Sequence, residues 1–397
     1  MTKYFLLKYL KSCSQLISAK PAQLLFVLGI TTIFIACAPK NDTAASDEQE
    51  VAEQEVAEQE VAEQEVYEWK MVTSWPKNFP GLGIGANNLG ALIEEMSGGR
   101  IKVTVYGAGE LVGPFEVFDA VSRGTAELGH SAAYYWSGKN QAVQFFSSVP
   151  FGLTAQEMNG WLYYGGGMEL WQKIYGKYNL IPLAAGNAGV QMGGWFNKEI
   201  NSLEDLKGIK MRIPGLGGKV LNKAGGIAVS LPGGELFAAL QSGAIDATEW
   251  VGPYNDLAFG FYKVAKYYYY PGWHEPGTTL EGMINKDAFE ALPADLQSIV
   301  LNAAKVINQD MLADFTAANN RALNILVQDH QVELRRYPQE VINELARITN
   351  EVLETTAAED PEFKEVYDSF NKFRVEAIKW HSVSELPYLE MREKAFK

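Results

Sequence analysis

Apolar Ile209, Met211 and Ile213 alternate with Lys210 and Arg212, a period of two that predicts a short strand. Just before it, Ser202 with Asp205 three residues on forms a capping pattern, and Gly208 suits a left-handed stop. Pro214 and Gly215 end the strand, and the glycines after them lead into a helix expected to start near Lys219. Arg212 then stands at the strand's C-terminal end, on the face opposite the apolar one. Ligands of open α/β sheets bind at such ends, and a glycine turn at a helix N-terminus presents free N–H groups to an anion. On these residues alone Arg212 reads as a fork for a carboxylate or phosphate, and equally as half of a solvated face shared with Lys210.

The same patterning organises the rest of the chain. Strands are expected over 67–75 and 101–106, with a helix around 87–96 between them and an aromatic helical stretch over 158–178. The alternating run 180–196 is long for one strand and is expected to cross between lobes, with Asn187, Gly189 and Gln191 on one face. The aromatic run 266–271 reads as a second crossing. Helices are expected over 293–306, 310–327, 338–356 and 361–379. Two segments repeat each other: EVFDAVSRGTAELGHSAAYYW from Glu116 and ELFAALQSGAIDATEWVGPYN from Glu235. Glu116/Glu235, Phe118/Phe237, Ala120/Ala239, Gly124/Gly243 and Tyr135/Tyr254 recur in register. Each unit reads as a short helix, a glycine stop and a strand ending in polar and aromatic residues. The fold class is therefore α/β, with two similar lobes aiming loops at a shared cleft and closing about crossing strands.

The N-terminus adds an export signal. Lys3, Lys8, Lys11 and Lys20 precede an apolar run, 24–36, too short to span a bilayer comfortably. The run FIAC, ending at Cys37, resembles a lipobox, so residues 1–36 are expected to be removed and Cys37 lipidated. Cys13 leaves with the signal, so the mature chain has one cysteine and forms no internal disulfide. Residues 37–66, with repeated EVAEQ, are acidic and lack a core-forming pattern. They read as a tether off the membrane. The net charge of −14 comes with no basic stripe, which excludes nucleic acid as a partner. The four histidines show no paired zinc spacing.

The segments FDAVSRGTAELGH, LEDLKGIKMRIPG, FAALQSGAIDATEW and GFYKVAKYYYYPGW resemble the solute-binding proteins of tripartite ATP-independent periplasmic (TRAP) transporters, the DctP family, nearest its 2-oxo-acid branch. The resemblance implies a type II-like, Venus-flytrap binding protein with crossing hinge strands and long C-terminal helices. It implies an extracytoplasmic subunit that captures a small carboxylate, pyruvate or another 2-oxo monocarboxylate, and delivers it to sodium-driven permease subunits. The lipid anchor expected from the lipobox, with the acidic tether, departs from the commoner soluble periplasmic form. Arg212 then matches the carboxylate-pairing arginine, with Asn187 beside it and Tyr134 or Tyr135 contributed by the first lobe. Gln191, Glu249 and the carbonyl of Trp250 match a cation site touching the substrate, with Glu275 as a further ligand. Sodium is the expected ion and calcium the second choice. A homodimer through the C-terminal helices is also implied. The expected domains are lobe I over 67–188 and 253–285, lobe II over 189–252 and 286–345, and a helical segment over 346–397.

Outside the resemblance, Glu249 reads as a solvated loop carboxylate and Tyr267–Tyr270 as packing. Lactate or another 2-hydroxy acid is the alternative ligand. A cation-assisted lyase or hydrolase using Glu249 and Glu275 is the alternative activity, although no GxSxG, dinucleotide or P-loop motif occurs. A sensor subunit serving a receptor is a third reading.

Overall fold

A computed structural model describes residues 65–396. The signal, the Cys37 lipidation site and nearly all of the tether lie outside the described residues. Strands β1 (Tyr67–Thr73), β2 (Ile101–Tyr106), β3 (Leu128–Ser131), β4 (Leu180–Asn187) and β10 (Thr279–Asn285) form one sheet in the order β2-β1-β3-β10-β4. A second sheet has the order β11-β9-β5-β8-β6-β7. Its strands are β5 (Gly194–Phe196), β6 (Lys210–Arg212), β7 (Ile227–Val229), β8 (Ala247–Thr248), β9 (Tyr267–Tyr270) and β11 (Glu333–Arg336). The helices are α1 (Leu82–Met96), α2 (Val117–Ser122), α3 (Ala155–Tyr164), α4 (Gly167–Tyr175), α5 (Gly215–Lys223), α6 (Leu236–Ser242), α7 (Pro253–Phe259), α8 (Lys286–Glu290), α9 (Ala294–Asn324), α10 (Gln339–Glu359), α11 (Pro361–His381) and α12 (Glu385–Ala395). Among the described residues no helix is long and apolar enough to cross a membrane.

The two repeats occupy equivalent places. In each, a glutamate caps a short helix, a glycine at φ +73° stops it, and a strand enters its sheet parallel to a neighbour: α2, Gly124 and β3 beside β1; α6, Gly243 and β8 beside β6. The left-handed backbone turns each chain back on its sheet, and only glycine reaches it without a Cβ clash. Each strand then releases a turn at the sheet's C-terminal edge.

The run 180–196 crosses between sheets as two strands, β4 and β5, separated by 188–193. The return crossing is not the aromatic run itself. Tyr267–Tyr270 lies wholly in the second sheet, and residues 271–278 carry the chain back to β10. Two expected boundaries change as a result. Residues 267–270 go with the second sheet rather than with lobe I, because β9 pairs with β5 and β11. The two helices expected over 293–327 are one continuous α9, followed by a π turn, and α9 packs on β4 and α1 of the first sheet. Buried Ala303, Ala304, Ile307, Met311 and Phe315 keep one apolar face through the expected break. The C-terminal segment likewise divides: α10 packs on α5, while α11 packs on α3 and α4.

Candidate functional site

Arg212, expected at the C-terminal end of β6, is 1 % exposed there, which removes the reading of a solvated face; Lys210 alone is exposed. The capping box of Ser202 and Asp205 and the left-handed Gly208 set the strand's entry as expected. The helix after it begins at Gly215 rather than near Lys219, with Pro214 as its cap. Every arm of the guanidinium is held. Nε donates to the Leu231 carbonyl at 3.2 Å, Nη1 to the Glu249 carbonyl at 3.1 Å and to the Glu249 carboxylate, and Nη2 to the Tyr135 hydroxyl at 3.1 Å. The Trp250 ring lies 4.9 Å from the guanidinium carbon, a cation–π arrangement. The two repeats thus meet across the cleft. The 3-10 turn after β3, Ala133–Trp136, supplies Tyr135, and the turn after β8 supplies Glu249 and Trp250.

The crossing segments close the other side. Gln191 and Glu275 are paired through backbone, Gln191 N–H to the Glu275 carbonyl at 3.1 Å and Gly272 N–H to the Gln191 carbonyl at 2.9 Å. A Cβ on Gly272 would stand 2.3 Å from the Gln191 carbonyl, so this approach requires glycine. Glu275 Oε2 accepts from Gln191 Nε2 at 2.8 Å and from Thr278 Oγ1 at 2.7 Å. His274 Nε2 lies 3.3 Å from Glu249 Oε2. Ligand atoms of Glu249, His274 and Glu275, all buried, fall within 4.8 Å of one another. The Gln191 side-chain oxygen and His274 Nδ1 are buried without a hydrogen-bond partner.

Burial, and then the neighbouring Glu249, push the Glu275 carboxyl up to about 7. Burial, the largest influence, opposes the charge on Arg212, but Glu249, Tyr135, Tyr134 and Glu275 together outweigh it and hold the guanidinium above its ordinary range. Burial first, and Glu275 next, raise the Tyr134 hydroxyl well above its ordinary value, so it remains a neutral donor. The adjoining cleft is walled by Trp75, Leu82, Tyr134, Tyr135, Trp250 and Leu280, with Gln191 and Thr278 at its polar edge. This set can hold one small anion: a fixed arginine and hydroxyls for the charge, an oxygen cluster beside it, and an apolar wall for the remainder.

Of the expected site residues, Arg212, Tyr134, Tyr135, Gln191, Glu249, Trp250 and Glu275 come together here. Tyr135 is the tyrosine bonded to Arg212; Tyr134 stacks edge-on against it at 4.8 Å. Asn187 stands apart from the group's hydrogen bonds. Its amide donates to the Gly277 carbonyl at 3.2 Å and to Thr279 Oγ1 at 3.4 Å, and accepts from Gly189 N–H at 2.8 Å, bracing one crossing segment on the other. His274, Thr278 and Trp75 belong to the site and were not expected. The signal for the first two is the polar stretch HEPGTT between an aromatic and an apolar strand.

A family model for the bacterial extracellular solute-binding protein, family 7 (DctP), matches residues 71–360, and the chain belongs to that family. A monocarboxylate 2-oxoacid-binding periplasmic protein of Nostoc sp. (strain PCC 7120) is 48% identical over 320 residues, covering 81% of this chain and 87% of its own length. The crystal structure of a TRAP periplasmic solute-binding protein from Pseudoalteromonas atlantica T6c, with bound sodium and pyruvate, superposes with a TM-score of 0.80 at 43% identity, covering 82% of this chain and 99% of that one. One from Colwellia psychrerythraea, with bound calcium and pyruvate, gives a TM-score of 0.80 at 44% identity over the same shares. The two-lobe fold and the transport role as a TRAP solute-binding protein, expected from the sequence, are thereby shown.

Proposed function

We propose that this TRAP solute-binding protein captures a 2-oxo monocarboxylate of pyruvate's class together with one cation, and acts as a carrier rather than an enzyme. The observation that carries it is the single buried arginine with a hydroxyl partner, next to the buried Glu249, His274 and Glu275 cluster and a Gln191 side-chain oxygen lacking any partner. In this reading Arg212 and Tyr135 bind the ligand carboxylate. Glu249, Gln191, Glu275 and the Trp250 carbonyl hold the cation. Asn187 fixes the crossing segments. The donors are hard oxygens, which fit sodium or calcium and not zinc. When bound, the cation supplies positive charge for the ligand's carboxylate and neighbouring carbonyl oxygens. The relatives with pyruvate beside sodium or calcium support the same assignment. A thermal-shift panel of 2-oxo acids, 2-hydroxy acids, dicarboxylates and sugars tests it. The largest shift is expected with pyruvate or a near homologue; stabilisation by sugars or dicarboxylates alone would overturn the ligand class.

The C-terminal helices support a homodimer. Phe363, Val366 and Phe370 of α11 are buried, yet Ile378, Trp380, Val383, Leu386, Tyr388, Leu389 and Met391 stand 46–73% exposed along the end of α11 and through α12. An apolar surface this continuous is covered in stable soluble proteins, and a second copy is the occupant the family resemblance implies. Light scattering of residues 65–397 is expected to return twice the chain mass, falling to one chain mass on truncation after 376. A monomer at micromolar concentration before truncation would remove the dimer.

A further inference from the structure

Two fully buried carboxylates lie outside the ligand group, one on a strand of the first sheet and one on helix α7, with similar donors around them. On β10, Glu281 is 0% exposed and accepts from Trp136 Nε1 and from the Tyr175 hydroxyl, each at 2.5 Å. At the start of α7, Asp256 is 1% exposed and accepts from Trp195 Nε1 at 3.0 Å and from the Tyr268 hydroxyl at 2.6 Å. Among the described residues neither forms an ion pair. A carboxyl buried with only neutral donors is costly, so packing alone does not favour one at either place.

Each is attached to one of the two turns that build the site. Trp136 closes the 3-10 turn that contains Tyr134 and Tyr135, and Tyr135 bonds Arg212. Asp256 Oδ1 accepts from the Val251 N–H at 3.4 Å, immediately after Trp250, whose ring lies beneath Arg212. Its neighbour Asn255 accepts from Trp250 Nε1 at 3.2 Å. The structural repeat thus continues beyond the helix–glycine–strand unit: each released turn is pinned from behind by a buried acid holding one indole and one phenol.

We propose that Glu281 and Asp256 are positioning residues, which hold the Tyr134–Tyr135 turn and the Glu249–Val251 turn in the geometry that grips the ligand. The proposal rests on the carboxylate-binding role of Arg212 and Tyr135. Glu281 accepts the indole and the phenol on separate oxygens, so in Glu281→Gln the carboxamide oxygen keeps the indole and the tyrosine hydroxyl turns to accept from the N–H. Asp256 accepts both on Oδ2 and the Val251 N–H on Oδ1, so Asp256→Asn keeps the indole and phenol but sets an N–H against the Val251 N–H. Glu281→Leu and Asp256→Leu remove them and leave the indole N–H unpaired.

Calorimetry with pyruvate and sodium, at a temperature well below unfolding, is the first measurement. Glu281→Leu, Asp256→Leu and Asp256→Asn are expected to weaken binding about tenfold or more, and Glu281→Gln to stay within about threefold of the unmodified protein. If Glu281→Leu fails to fold, Trp136→Phe removes the same hydrogen bond from its other end. If Asp256→Leu fails to fold, Asp256→Asn opens the bond to the Val251 N–H and keeps those to Trp195 and Tyr268. Amide hydrogen exchange without ligand is the second measurement. Faster exchange is expected across residues 133–136 in the Glu281 variant and across 249–252 in the Asp256 variant. Folded leucine, Trp136→Phe or Asp256→Asn variants that bind pyruvate like the unmodified protein and exchange at its rates overturn the pins alone. An unmodified protein that binds no 2-oxo acid overturns the ligand assignment, and exchange then decides the pins by itself.

Discussion

Arg212→Lys is expected to weaken pyruvate binding at least about thirtyfold, and Arg212→Met to abolish it in a micromolar titration. Truncating one partner of a buried, hydrogen-bonded charge pair costs about 2–5 kcal/mol, and about 1.4 kcal/mol is a factor of ten. Lysine keeps the charge but cannot reach the Leu231 carbonyl, the Glu249 groups and the Tyr135 hydroxyl with one point-like ammonium. Methionine also leaves the Glu249 carboxylate without its arginine, so the melting temperature should fall as well. Calorimetry on both variants, with circular dichroism to confirm folding, reads the effect. Pyruvate affinity unchanged in folded Arg212→Met would place the carboxylate elsewhere.

Most of what the sequence made legible here is local backbone logic. The capping box of Ser202 and Asp205, the left-handed Gly208, and the paired stops Gly124 and Gly243 are set by contacts within a few residues, and all occur in the structure. From them followed the strand end that carries Arg212 and the two loops that hold Tyr134, Tyr135 and Glu249, whose roles came from the family resemblance. What stayed hidden depends on distant packing. Four residues with three glycines argue against a helix at 215–218, because glycine costs about 1 kcal/mol in a helix interior relative to alanine. The helix forms there because its neighbours leave no room for side chains. A Cβ on Gly217 would stand 3.0 Å from the His274 Cβ, and one on Gly218 would stand 2.5 Å from the Ile213 carbonyl. Nothing local in Tyr267–Tyr270 states which sheet it joins; its partners β5 and β11 are some seventy residues away on either side. His274, Glu281 and Asp256 carry no motif at all, since their significance is the partner each meets across the fold.

Pyruvate binding is expected to require a cation, and Glu275 to set which one is preferred. A bound monocarboxylate and Glu249 each bring one negative charge, and Arg212 offsets one. One sodium ion closes the count with Glu275 neutral, a state that its carboxyl, pushed up to about 7 by burial and by Glu249, can adopt. A calcium ion brings a second positive charge, which is matched only when Glu275 is ionised. Uncompensated charge in a buried cleft is expensive, so Glu275 balances a monovalent ion by holding a proton and a divalent ion by releasing it. Glu249→Gln should then weaken pyruvate binding in either ion by about thirtyfold or more, by the same cost of truncating a buried charged partner. Glu275→Gln removes the charge that balances a divalent ion. Calcium-supported affinity should therefore fall by about tenfold or more relative to sodium-supported affinity. The experiment is calorimetry with pyruvate in chelated, sodium-free buffer, and again with sodium or calcium restored, for all three proteins. Full affinity in metal-free buffer would eliminate the cation. An unchanged calcium-to-sodium ratio in Glu275→Gln would remove Glu275 from the ion and leave Glu249, Gln191 and the Trp250 carbonyl to hold it with the ligand.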